Sequence, residues 1–129
     1  MNGHLLDTNA ALIGLKEPDR LTDAVRSAIL TGPNILSVAV YWEVLLKSMK
    51  GKLDVGDPRQ WWKDALKQLA ATPLPLLPEH IAEVYDMPPI HQDPFDRVLI
   101  AQATVEDLVL VTTDQQIPRY LSDRFGVIV

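Results

Sequence analysis

The chain contains no cysteine. Disulfides and thiolate metal centres are therefore excluded, and the composition fits a reducing compartment. Positive charge is also scarce: 12 Lys and Arg stand against 17 Asp and Glu, for a net charge of −5. A balance of that sign argues against a broad nucleic-acid footprint, which needs many cations to replace the phosphate counterions. It does not exclude an enzyme that cuts nucleic acid. Carboxylates gathered at a metal site inflate the negative count, and a bound cation reverses their local field. No apolar run reaches the roughly 18 residues of a membrane span, because the longest is broken by Glu43 and Lys47. The first residues, "MNGHLLDTN", lack a basic stretch followed by an apolar one, so no export signal is read and a cytoplasmic location is expected. A phosphate-cradling glycine loop, a dinucleotide fingerprint and a Ser/His/Asp set are likewise missing.

What remains is one domain over residues 1–129, 47% apolar and 22% charged, long enough for a hydrophobic core. Strand-like and helix-like segments alternate. "GHLLDT", "NILSV", "LVLVTT" and "GVIV" read as strands, and "TPLPLL" as an edge strand at best because of its prolines. Helices are expected over "NAALIGL", from Pro18 to about Leu30, from Ser37 to about Met49, from Pro58 to about Ala71, over "PEHIAEVYD" and over "FDRVLIAQATVED". Ser37 and Asp57 suit N-caps, the latter with proline following. A short helical turn is expected near "DQQIPRYL". Such alternation predicts an α/β fold with a mainly parallel sheet covered on both faces. In such sheets chemistry gathers beyond the carboxyl ends of the strands.

The acids fall at telling places. Asp7 ends "HLLD", Asp114 ends "LVLVTTD", and Asp93 and Asp96 open the apolar helix of "HQDPFDRVLIAQA". Glu43 is the only charged residue between Ile35 and Leu46. Each has a plainer explanation. Asp7, Asp93 and Asp114 suit helix or turn caps, and Asp96 suits the third position of a capping pair. Glu43 lies one turn before Lys47 and suits an ion pair. Caps explain single aspartates, however, and not several acids brought to one sheet edge by distant segments. Oxygen donors without sulfur point to Mg²⁺ or Mn²⁺. His4, His80 and His91 form no constellation. Of the neighbouring Trp61 and Trp62, helix geometry turns one toward the core and one away.

Four segments, "LLDTNA" (5–10), "SVAVYWEVLLKSMKGKL" (37–53), "DPFDRVLIAQA" (93–103) and "LVTTD" (110–114), resemble the PIN-domain ribonucleases, specifically the VapC-type toxins of toxin–antitoxin pairs. The resemblance implies a PIN-like three-layer α/β/α sandwich and a Mg²⁺- or Mn²⁺-dependent endoribonuclease acting on structured RNA, of the tRNA or rRNA class. It also implies a homodimer and a cognate VapB-type antitoxin. The family's acidic quartet falls on Asp7, Glu43, Asp96 and Asp114 as catalytic and metal-binding residues. Thr8 then orients the first acid, Thr112 holds a carboxylate or a water near the fourth, and Asp93 caps or supports. Ser37 matches a family serine and equally suits an N-cap. Lys47 and Arg97 match family positions where charge neutralisation, phosphate binding and surface pairing all remain open. Asn9 departs from the polar residue, often histidine, of many relatives. Two rivals are a binding module that keeps the fold without catalysis and a small-molecule phosphohydrolase. The second lacks the further aspartate that its nucleophile motif carries two residues after the first.

Overall fold

A computed structural model describes residues 3–88, 93–117 and 126–129. The expected strand–helix alternation is present. In order the elements are β1 (His4–Leu6), α1 (Thr8–Lys16), α2 (Asp23–Thr31), β2 (Asn34–Ser37), α3 (Val38–Met49), α4 (Pro58–Gln68), β3 (Ala71–Leu74), α5 (Pro78–Tyr85), α6 (Pro94–Glu106), β4 (Val109–Val111) and β5 (Gly126–Ile128). The strands form a five-stranded sheet in the order β3-β2-β1-β4-β5, and every pairing is parallel. Leu5, Leu6, Leu36, Leu110 and Val111 fill its interior strands and are buried almost completely. Their continuous apolar character, rather than alternation, is what a sheet covered on both faces requires. Leu99 and Ile100 of α6 and Val40 and Val44 of α3 pack in the same core. The arrangement agrees with the three-layer sandwich expected above.

Short polar caps set where strands give way to helices. Asp7, at φ −76° and ψ 171°, ends β1, and its Oδ1 accepts the Ala10 N–H at 2.8 Å. Ser37 does the same between β2 and α3, accepting from Ala39 N–H at 3.0 Å. Asp57 and Asp93 each precede a proline and cap α4 and α6. A cap satisfies one of the amides that a helix start leaves without an internal partner.

Two boundaries differ from expectation. The helix expected from Pro18 is divided: a 3₁₀ turn spans Pro18–Arg20, Leu21 is extended, and α2 starts only at Asp23. The Thr22 hydroxyl accepts from Val25 N–H at 3.2 Å and so starts a new helix, while Leu21 is drawn into the core. Further on, α4 stops at Gln68 instead of near Ala71, because Ala71 must be extended to pair with Asn34 of β2. Ala70 makes the reversal at φ 48°, and Asn34 Nδ2 donates to Leu69 O at 2.9 Å, tying the helix end to the strand. Strand β3 carries Pro73 and lies at the sheet edge, where a missing N–H is tolerated. The expected turn near "DQQIPRYL" lies in large part outside the described residues, as does His91. Among the described residues no helix is long and apolar enough to cross a membrane.

Candidate active site at the carboxyl edge

The strand order reverses direction between β1 and β4, since the chain builds outward from β1 to β2 and β3 on one side and to β4 and β5 on the other. Parallel sheets open a crevice at such a point, beyond the carboxyl ends of the two strands. Asp7 follows β1 and Thr112 follows β4. Asp7 N–H donates to Val111 O at 2.9 Å, and the Thr112 hydroxyl donates to Asp7 Oδ2. Two segments 105 residues apart thus fix one carboxylate. Thr112 Oγ1 also accepts from Asp114 N–H at 2.9 Å, so one hydroxyl fixes both the Asp7 carboxylate and the Asp114 backbone.

Asp7 is 5% exposed. Burial raises its pKa to about 6, against the lowering effect of the Thr112 hydroxyl and the Ala10 amide; the nearby charge of Asp96 pushes it up further. Desolvation favours the neutral carboxyl, and a second carboxylate does so again. Asp96 therefore faces the same crevice. It sits in the first turn of α6, held by Asp93, whose Oδ1 accepts from Phe95 N–H at 2.8 Å and from Asp96 N–H at 3.2 Å. The positive end of the helix favours an acid at that place.

Glu43 reaches the same edge from α3 and is buried. Its Oε1 accepts from the Thr8 hydroxyl at 2.5 Å, and its Oε2 pairs with Lys47 Nζ at 2.9 Å. The simple ion pair foreseen for Glu43 is thus formed. Thr8 holds Glu43, not Asp7 as the resemblance suggested; the hydroxyl that holds Asp7 belongs to Thr112. Asp114 is half-buried, and its Oδ1 accepts from Gln116 N–H at 2.9 Å, which is its capping role. Ser37 is wholly buried and serves as the α3 cap. Arg97 donates to Pro88 O at 3.0 Å and to Val84 O at 3.3 Å, pinning the start of α6 to the end of α5.

The expected quartet therefore shares one edge without closing a cage. Among the described residues no three Asp, Glu or His groups stand close enough together to hold a metal ion. The physical reason is visible in the partners. Glu43 is drawn to Lys47 and Asp114 to the Gln116 amide, while Asp7 and Asp96 repel. The donor chemistry nonetheless fits a hard cation, being all oxygen. A Mg²⁺ ion keeps several waters and takes only one or two carboxylates directly, which Asp7 and Asp96 suffice to supply.

Two features were not legible in the sequence. His80 is completely buried between α5 and α6: Nδ1 accepts from Leu77 N–H at 3.0 Å and Nε2 lies 3.0 Å from Glu106 Oε1. Its position at the third residue of a proline-led helix was the one available signal. The other is an exposed Trp42. The pair that drew attention, Trp61 and Trp62, is half-buried on both sides, with Trp62 stacked on Tyr41 at 5.0 Å.

The PIN domain family model matches residues 4–121. No curated protein matches the sequence. Among solved structures, the DNA-bound VapBC of Salmonella typhimurium is similar at TM-score 0.70 and 14% identity, over 98% of this chain and 97% of that one. VapBC2 of Rickettsia felis, bound to a DNA fragment from their promoter, gives TM-score 0.68 at 13% identity, over 98% of each chain. A toxin–antitoxin complex from Klebsiella pneumoniae gives 0.63 at 19% identity, over 98% of this chain and 96% of that one. At such identities the likeness is one of fold.

Proposed function

The chain belongs to the PIN domain family, and on that premise we propose that it is a VapC-type toxin: a Mg²⁺- or Mn²⁺-dependent endoribonuclease. In this reading it cuts structured RNA of the tRNA or rRNA class in the cytoplasm, works as a homodimer and is silenced by a cognate VapB-type antitoxin. The supporting observation is the Asp7–Thr112 hydrogen bond across the β1–β4 crevice, with Asp96 close enough to raise the Asp7 pKa. Similar solved structures of VapBC and toxin–antitoxin complexes support the antitoxin partner.

Asp7 and Asp96 would hold the metal, with Glu43 and Asp114 completing its shell through water. A bound divalent ion supplies charge stabilisation for the phosphoryl group and a water of lowered pKa. The chain's own residues do the rest. Thr112 keeps the Asp7 carboxylate aimed into the crevice, and Asp93 presents Asp96 from the helix start. In the alternative role, Glu43 or Asp114 would accept the proton of an attacking water. Lys47 balances Glu43, and its release toward a phosphate would free that carboxylate. Ser37 and Arg97 hold the scaffold on which these groups stand.

The test is cleavage of total cellular RNA by antitoxin-free protein with Mg²⁺, with Mn²⁺ and with EDTA, beside Asp96→Asn purified identically. Discrete metal-dependent fragments that vanish with the variant support the reading. Folded protein that binds metal and RNA but cuts nothing points instead to the binding module.

A further inference from the structure

Beside the acids lies an apolar slot of about 100 Å³, lined by Ala39, Trp42, Leu76, Pro94, Phe95 and Val98. It occupies the same edge of the sheet. Ala39 and Trp42 stand on α3 just after β2, Leu76 follows the carboxyl end of β3, and Pro94 and Phe95 open α6. The register with the acids is close. Glu43 directly follows Trp42, and Asp96 directly follows Phe95. Helix geometry turns each aromatic ring about 100° away from its neighbouring acid. The slot thus draws on the same two helices, α3 and α6, that carry Glu43 and Asp96.

Trp42 is 54% exposed, unusually wet for a tryptophan next to a buried acid. Phe95 meets it edge to face at 5.3 Å and 81°, which holds the indole in place while leaving surface uncovered. An exposed ring held beside the acids is the kind of platform on which an unstacked base of single-stranded nucleic acid packs, a contact that needs no charge.

We propose that this slot receives one unstacked RNA base flanking the cut phosphodiester, with Trp42 as its stacking platform and Phe95 as the support that positions Trp42. The inference rests on the nuclease reading above and deepens it. Trp42 then sets which nucleotide is placed relative to the acids, without taking part in the chemistry.

The test combines Trp42→Ala with single abasic nucleotides scanned through a short RNA spanning the mapped cut. Loss of one stacked base is expected to lower kcat/KM roughly 10- to 100-fold, mainly through KM, and Trp42→Phe should recover most of it. At one position near the cut, the abasic substitution should lower wild-type kcat/KM to the same degree yet change Trp42→Ala by no more than about twofold. Wild-type cleavage that is insensitive to every abasic position, or losses that multiply in the variant, would overturn the slot and leave the nuclease intact. A change of oligomeric state in Trp42→Ala by sedimentation, with cleavage unaltered, would overturn it in favour of a contact between copies. Absence of cleavage by wild type would overturn both readings.

Discussion

Two regions bury ionisable side chains, and they do so in opposite ways. Around His80 every contact closes the group off. Leu77 N–H, Gln102 Nε2 and Glu106 Oε1 all meet the ring, and the histidine has no exposed surface. At the β1–β4 crevice the Asp7 carboxylate is nearly as buried, but neutral donors and a second carboxylate surround it, and its pKa rises to about 6. The first region is self-sufficient. The second is stable only at the expense of an uncompensated charge, and that is the electrostatic state a cation relieves. Burial alone does not distinguish a working group from a structural one; the sign of what surrounds it does.

Asp7→Asn breaks the comparison hardest. Cleavage should fall by at least about 100-fold, the upper end of what loss of a partner outside the first coordination shell produces. The metal-free protein should meanwhile become more stable at neutral pH. The neutral carboxyl of Asp7 favours folding fully below its unfolded pKa of 3.8, and this contribution is lost as pH rises through about 6. Asparagine keeps the cap and has no such loss. Urea unfolding should thus show the variant gaining about 2 kcal/mol on wild type between pH 4 and pH 7, at up to roughly 1.4 kcal/mol per pH unit. Equal pH profiles would remove the electrostatic argument.

His80→Ala tests the other side. It opens a cavity and strips partners from Leu77 N–H and Glu106, so denaturation should show a loss of about 3 kcal/mol. Activity per folded molecule should be unchanged; if it falls, His80 belongs to the site. Thr112→Val sharpens the contrast within the crevice. Titration calorimetry should show Mn²⁺ affinity lowered about 10-fold, with Asp7 pKa moved further upward because a stabilising hydrogen bond to its charged form is gone. Ser37→Ala should be the mildest, costing about 1 kcal/mol of stability as a cap and leaving metal affinity intact.

How much of this could be read beforehand varies with the distance over which each signal acts. Caps and strands were legible because their causes are local. Asp57 with Pro58, Asp93 with Pro94 and Ser37 before α3 each announce a helix start within three residues. The parallel sheet followed from the alternation of elements. The acids stood out because strand ends and helix starts are local features too. Their partners were not. Thr8 was assigned to Asp7, its sequence neighbour, but a side chain at the first helical position turns away from its cap and meets Glu43, 35 residues on. The division at Leu21 was missed since Pro18 alone is as good a helix start as Thr22; what decides is that Leu21 finds a place in the core. His80 was passed over because Gln102 and Glu106 approach it from a different helix.

The single Thr112 hydroxyl carries an implication for biosynthesis. Asp7 leaves the ribosome 105 residues ahead of the group that aims it. A nascent chain therefore exposes Asp7 long before that acid can be oriented, and an interrupted translation product ending short of β4 carries the carboxylate without its guide. The order of synthesis thus withholds the assembled crevice until β4 and Thr112 have been made.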